Sequence, residues 1–173
     1  FLGFQCQLVF CHLPAEKPQA HTALAVEIGD TRWLVDVGYA LPTPVALPTG
    51  LTVLRTTPLY DIEIRRGPHD ECLLFTEDDR GKRFRYRFVP RAVSEGAYLG
   101  AWRESFRLET PYMRRLALGR FRAGARYLYK EPGRVFAISR QGGETIALSG
   151  PEAGAVAAFF QFPEVLVDNA ITA

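Results

Sequence analysis

At 173 residues, with 47% hydrophobic and 23% charged content, the chain holds enough apolar material for one ample core or two small ones and reads as a globular protein. No apolar run approaches the ~18 residues that span a bilayer, and the opening stretch lacks the basic start and small-residue cleavage site of a signal peptide, so neither membrane nor secretion is expected. Three cysteines give no even disulfide framework and no zinc-ligand spacing, and the net charge is only +2, so a reducing, cytoplasmic setting without metal is expected.

Residues 4–11 read as a strand. Cys6 and Cys11 lie five apart on it, on opposite faces, and each is expected to be a small buried hydrophobe rather than a reactive thiol. A start inside a strand, without an initiating methionine, suggests a longer chain whose N-terminal part is missing. Residues 12–20 form a polar, proline-bearing loop that leads to His21.

Two apolar runs, residues 22–28 and 31–37, flank Gly29-Asp30, the signature of a two-residue type II′ hairpin turn. That turn pairs Ile28 with Thr31, Val26 with Trp33, Leu24 with Val35 and Thr22 with Val37, and this largely apolar side is expected to face the core. The opposite side carries Glu27 across from Arg32, Ala25 from Leu34, Ala23 from Asp36 and His21 from Gly38. His21 and Asp36 become diagonal neighbours, and such positions lie roughly 7–8 Å apart, within reach of a carboxylate meeting an imidazole. A carboxylate amid Trp33, Leu34, Val35 and Val37 is costly unless it is hydrogen-bonded, and the two alanines leave room for a partner. The pair can serve a nucleophile, the aspartate orienting the histidine that takes its proton, or it can simply tie a hairpin to another element.

Residues 38–50 hold three prolines and two glycines, which exclude regular helix and central strand and suit a pocket-lining loop. Strand-like runs at 51–55, 59–64, 72–76 and 83–89 follow at regular spacing, which points to an antiparallel barrel or sandwich. In the last run Phe84, Tyr86 and Phe88 alternate with Arg83, Arg85 and Arg87, so the aromatics are expected to fill the core. His69, in a Gly-Pro-His-Asp turn, is expected at the surface. Between Arg80 and Arg134 there are fifteen Lys/Arg and four Asp/Glu, a window that either binds something anionic or forms a solvated face.

A domain boundary is expected near Pro90, dividing the chain into residues 1–90 and 91–173. Residues 93–106 have helical spacing, 127–129, 134–139 and 144–148 read as short strands, and a helix opens after Ser149 and stops at Pro163. The expected fold is mainly β, an antiparallel β-barrel or sandwich followed by a small mixed α/β region.

His21, then Leu34-Val35-Asp36-Val37-Gly38-Tyr39 with Pro44 and Pro48, resembles the arylamine N-acetyltransferases, in which a histidine opens one strand, V-D-V-G-F-G ends the next and prolines follow. Leu2-Gly3-Phe4 matches a stretch just after that family's first domain, and the likeness is specific over residues 1–48. The resemblance implies a Cys-His-Asp triad with His21 as base and Asp36 as its orienter. It also implies acetyl-coenzyme A as donor and an arylamine, hydrazine or arylhydroxylamine as acceptor. Gly38 and Ala40 would lie at the coenzyme and Tyr39 in the acceptor pocket, Ala40 standing where the family has glycine and Tyr39 where it has phenylalanine. The coenzyme's phosphates would give the basic window a role. The family's R-G-G-x-C-x-E segment is absent, so a missing N-terminal helical domain would carry the cysteine and this chain would be inactive alone.

Competing readings are the macrolactam-forming amide synthases of the same fold, a transglutaminase-like thiol acyltransferase or hydrolase, and a non-catalytic module using the basic window on nucleic acid. Val37-Gly38-Tyr39 with its later prolines favours the acetyltransferase, for which no nucleic-acid partner is expected.

Overall fold

A computed structural model of the chain describes residues 3–13, 21–39, 41–107, 109 and 116–172. They fall into two compact units, residues 1–104 and 105–173. Among the described residues no helix is long and apolar enough to cross a membrane.

The first unit is one antiparallel sheet of eight strands: β1 (Gln5–His12), β2 (His21–Ile28), β3 (Thr31–Val35), β4 (Val45–Ala46), β5 (Thr52–Thr56), β6 (Asp61–Arg66), β7 (Cys72–Asp78) and β8 (Gly81–Phe88). Their order is β4-β3-β2-β1-β8-β7-β6-β5, so two hairpin-connected meanders meet where β1 pairs with β8 through Cys11–Phe88 and His12–Arg87. The free edges, β4 and β5, are consecutive in the chain, and the sheet curls into a nearly closed barrel. Val9, Leu34, Ile62, Ile64, Leu74 and Phe88 are fully buried in its core. Helix α1 (Glu95–Ser105) follows β8. His69 is exposed in a short 3₁₀ turn, Pro68–Asp70, as its sequence context suggests.

The β2–β3 register is the one the turn dictates, from Ile28–Thr31 to Leu24–Val35. Gly29 has φ +58° while Asp30 stays outside the positive-φ region, which makes the turn type II′. Glu27 and Arg32, paired across the strands, join at 2.8 Å, and Arg32 also donates to the Pro90 carbonyl at 3.0 Å.

The expected core face is reversed. Ala23, Ala25, Leu34 and Asp36 are buried, whereas Leu24, Val26, Trp33 and Val35 on the more hydrophobic side are only partly so. Barrel closure decides this: side chains just fill the interior of an eight-stranded barrel, and the small Ala23 and Ala25 share that space with the bulky Leu34, Tyr86 and Phe88. The aromatic stripe of β8 is corrected similarly. Tyr86 and Phe88 are fully buried, but Phe84 is 38% exposed. The register shifts between Leu74–Tyr86 and Phe75–Phe84, so Arg85 is the extra residue of a β-bulge, and Phe84 turns to the outer face against Phe75, ring centroids 5.5 Å apart.

The second unit is a four-stranded meander, β9 (Leu118–Arg122), β10 (Ala125–Glu131), β11 (Arg134–Ser139) and β12 (Gly142–Ala147), with helices α2 (Glu152–Phe160) and α3 (Glu164–Thr172). Tyr129 and Val135 pack with Val156, Ala157 and Phe160 of α2 and Val167 of α3. Glu152, in the first turn of α2, accepts from the Gly133 amide at 2.8 Å and from the Tyr129 hydroxyl; burial, then that bond, pushes the Tyr129 phenol up to about 12. Neither β9 nor α3 stands out in the sequence: β9 lies in the arginine-rich stretch, and α3 is a nine-residue helix just beyond Pro163.

Candidate active site

His21 is the first residue of β2, and Asp36 follows the last residue of β3, so barrel closure brings both to the inner face. The carboxylate is enclosed: its side chain is 0% exposed, and every polar contact it makes is short. Oδ2 lies 2.8 Å from His21 Nε2 and accepts from the Tyr86 hydroxyl at 2.7 Å, while Oδ1 accepts from the Tyr39 amide at 2.9 Å. Burial alone pushes the Asp36 carboxyl up, but the bonds from His21, Tyr39 and Tyr86 outweigh it and hold it below the ordinary carboxylate range.

An ionised carboxylate only accepts, so Nε2 must carry the ring proton, and Nδ1 of the neutral imidazole is the basic nitrogen. The His21 side chain is 15% exposed, so the ring forms the boundary between the sealed carboxylate and the outside. Three rings pack as a triangle, His21, Tyr39 and Tyr86, with each pair of centroids 5.6 Å apart. Tyr86 is buried and faces the Asp36 charge, both of which drive its phenol far above the ordinary range, so it stays a proton donor in the hydrogen bond.

The turn after Asp36 is tied by the Leu41 amide, which donates to the Asp36 carbonyl at 3.0 Å. Gly38 lies against the imidazole, and Tyr39 is half-buried beside it. Ala40 lies outside the described residues.

No cysteine of the chain is an activated thiol in this site. Cys11 sits across from His21 in the β1–β2 register, but burial first, and then the Asp36 charge, raise its pKa well above the ordinary range. Cys72 is raised by burial, and Cys6, expected to be buried, is instead exposed opposite Val26, near the start of β1. Among the described residues no group of three or more His, Cys, Asp or Glu could hold a metal ion.

On β8 the basic window meets neighbouring acids through Lys82, Arg83 and Arg87, while Arg85 donates to the Thr76 hydroxyl at 2.6 Å. Lys82 reaches Glu63 at 2.6 Å and Glu77 at 3.3 Å, Arg83 approaches Asp78 at 3.9 Å and Arg87 approaches Glu71 at 3.7 Å. Sequence reasoning treats Tyr86 only as a core aromatic. A buried tyrosine hydroxyl needs a partner, which is the available signal, but pairing it with a residue fifty positions away requires the closed sheet.

No protein-family model matches the chain, and no curated protein is significantly similar to it in sequence. Solved structures do match. The arylamine N-acetyltransferase of Mycobacterium smegmatis aligns with a TM-score of 0.77 at 22% identity, over 98% of this chain and 65% of that one. The Mycobacterium marinum enzyme in complex with CoA gives 0.77 at 22% identity, over 98% and 70%. The Salmonella typhimurium enzyme gives 0.74 at 16% identity, over 97% and 68%. The chain therefore spans about two thirds of the length of these enzymes, 65% in the first case, and over that span it has the fold of the arylamine N-acetyltransferases.

Proposed function

We propose that this chain carries the histidine and aspartate of a Cys-His-Asp acyl-transfer site that moves an acetyl group from acetyl-coenzyme A to an arylamine, hydrazine or arylhydroxylamine. The observation that carries the reading is the sealed Asp36 carboxylate bound at 2.8 Å to the inner nitrogen of an imidazole whose ring reaches the surface. The thiol comes from outside residues 1–173, since Cys11 and Cys72 are buried with raised pKa values and Cys6 is remote from His21 in the strand register.

His21 Nδ1 takes the thiol proton, and Asp36 stabilises the imidazolium that forms. The thiolate attacks the acetyl carbonyl, the bond to the coenzyme's sulfur breaks, and that sulfur leaves with the proton from His21. The acceptor amine then attacks the acetyl-enzyme. Its proton passes to His21 and on to the departing cysteine sulfur, which restores the thiol and releases the amide. Tyr39 borders the acceptor side of the imidazole, and Gly38 flanks the donor's approach. The likeness to an enzyme solved with CoA supports this choice of donor.

Asp36→Asn tests the reading. An amide can offer Nε2 an N–H, which favours the wrong tautomer, and the expected result in the full-length protein is a loss of acetyl transfer of about 10⁴-fold with an unchanged circular dichroism spectrum. Near-normal activity with a folded variant removes Asp36 from the mechanism.

A further inference from the structure

The turn that delivers Asp36 contains a glycine whose backbone does not call for one. Gly38 has a φ outside the left-handed region, so no positive φ demands a glycine here. What it supplies is space. A Cβ at this position would stand 3.1 Å from His21 Cε1, 3.8 Å from His21 Nδ1 and 3.8 Å from Asp36 Oδ1. Its three nearest neighbours would thus be atoms of the two residues of the proposed pair. The ring has little freedom to yield, because Nε2 is held at 2.8 Å by Asp36 and the rings of Tyr39 and Tyr86 pack around it at 5.6 Å.

We propose that Gly38 is a positioning residue: the missing side chain lets the imidazole lie against the turn, in the one pose that gives Nε2 to Asp36 and leaves Nδ1 as the basic nitrogen. In this role the residue acts through His21. Its importance for catalysis rests on the acyl-transfer reading, but the packing itself can be tested without turnover.

In the 173-residue chain, Gly38→Ala is expected to weaken the His21–Asp36 bond. Nitrogen-15 NMR of the imidazole should show a mixture of ring tautomers in place of the Nε2–H form, and the Asp36 carboxyl should titrate at higher pH than in the parent. Gly50→Ala makes the same chemical change where a Cβ meets nothing within 4 Å, and both signals should stay at parent values. An unchanged tautomer and Asp36 titration in Gly38→Ala overturn the proposal. If that variant is too unstable for NMR, a cycle with His21→Ala decides: removing the ring should reduce the shift in the denaturant midpoint caused by Gly38→Ala to less than half. An equal shift in both backgrounds means that the Cβ collides with something else, and the proposal fails. Loss of transfer in Asp36→Asn bears on the acyl-transfer reading and leaves these outcomes untouched.

Discussion

Asp36 accepts three hydrogen bonds from three elements: the first residue of β2, a residue inside β8 and an amide of its own turn. Each donor has a separate consequence. The imidazole makes the carboxylate useful, the Tyr39 amide fixes its rotation, and Tyr86 closes the last direction of approach in the core. Because the folded pKa of Asp36 lies below its unfolded value, its contribution to stability is complete above the unfolded pKa and is lost as pH falls through the folded one. Tyr86→Phe keeps the ring and deletes one donor, which should cost about 1–3 kcal/mol near neutral pH. It should also bring the Asp36 pKa closer to the ordinary value, so that less stability disappears on acidification. Denaturant midpoints measured from about pH 7 down to pH 3 check both effects; a variant with the parent's stability and pH dependence means that the hydroxyl does not hold the carboxylate.

At the scale of elements, the β2–β3 hairpin shows what the sequence can and cannot carry. Its register and turn type follow from Gly29-Asp30 and strand alternation, both local, and so does the shared face of His21 and Asp36. Which face points inward is not local. The more apolar side, Leu24, Val26, Trp33 and Val35, has the stronger claim by hydrophobicity, but the narrow barrel interior selects the side with alanines. Phe84 defeats the sequence pattern for a related reason, since alternation carries no sign of the bulge at Arg85 that breaks it. The partnership of Tyr86 with Asp36 is also invisible locally, because it crosses from one meander to the other. The inward orientation predicts unequal costs for one kind of truncation: Leu34→Ala, at a fully buried position, should cost about 2–5 kcal/mol, and Leu24→Ala on the partly exposed side distinctly less. Urea unfolding of the two variants makes the comparison, and the reverse ranking would return the core to the other face.

For the first unit as a whole, the strand order separates local from distant pairing. β4 to β1 and β8 to β5 are built by pairing strands adjacent in the chain, and only the short Cys11–Phe88 and His12–Arg87 ladder joins the two halves. That seam spans the greatest length of chain of any strand pair in the sheet, so its formation bears the largest loop-closure entropy, and each hairpin can form before it. The site is assembled by the same event, since Tyr86 lies on one side of the seam and His21 and Asp36 on the other. Folding kinetics should therefore be limited by bringing the meanders together. Phe88→Leu, at the seam, should slow refolding while barely accelerating unfolding, as stopped-flow measurements across a denaturant series would show; a change confined to the unfolding limb would place the seam after the barrier. A chain caught before this step would have its hairpins but no sealed carboxylate, so the chemistry proposed for this site could not begin until the slowest contact in the sheet had formed.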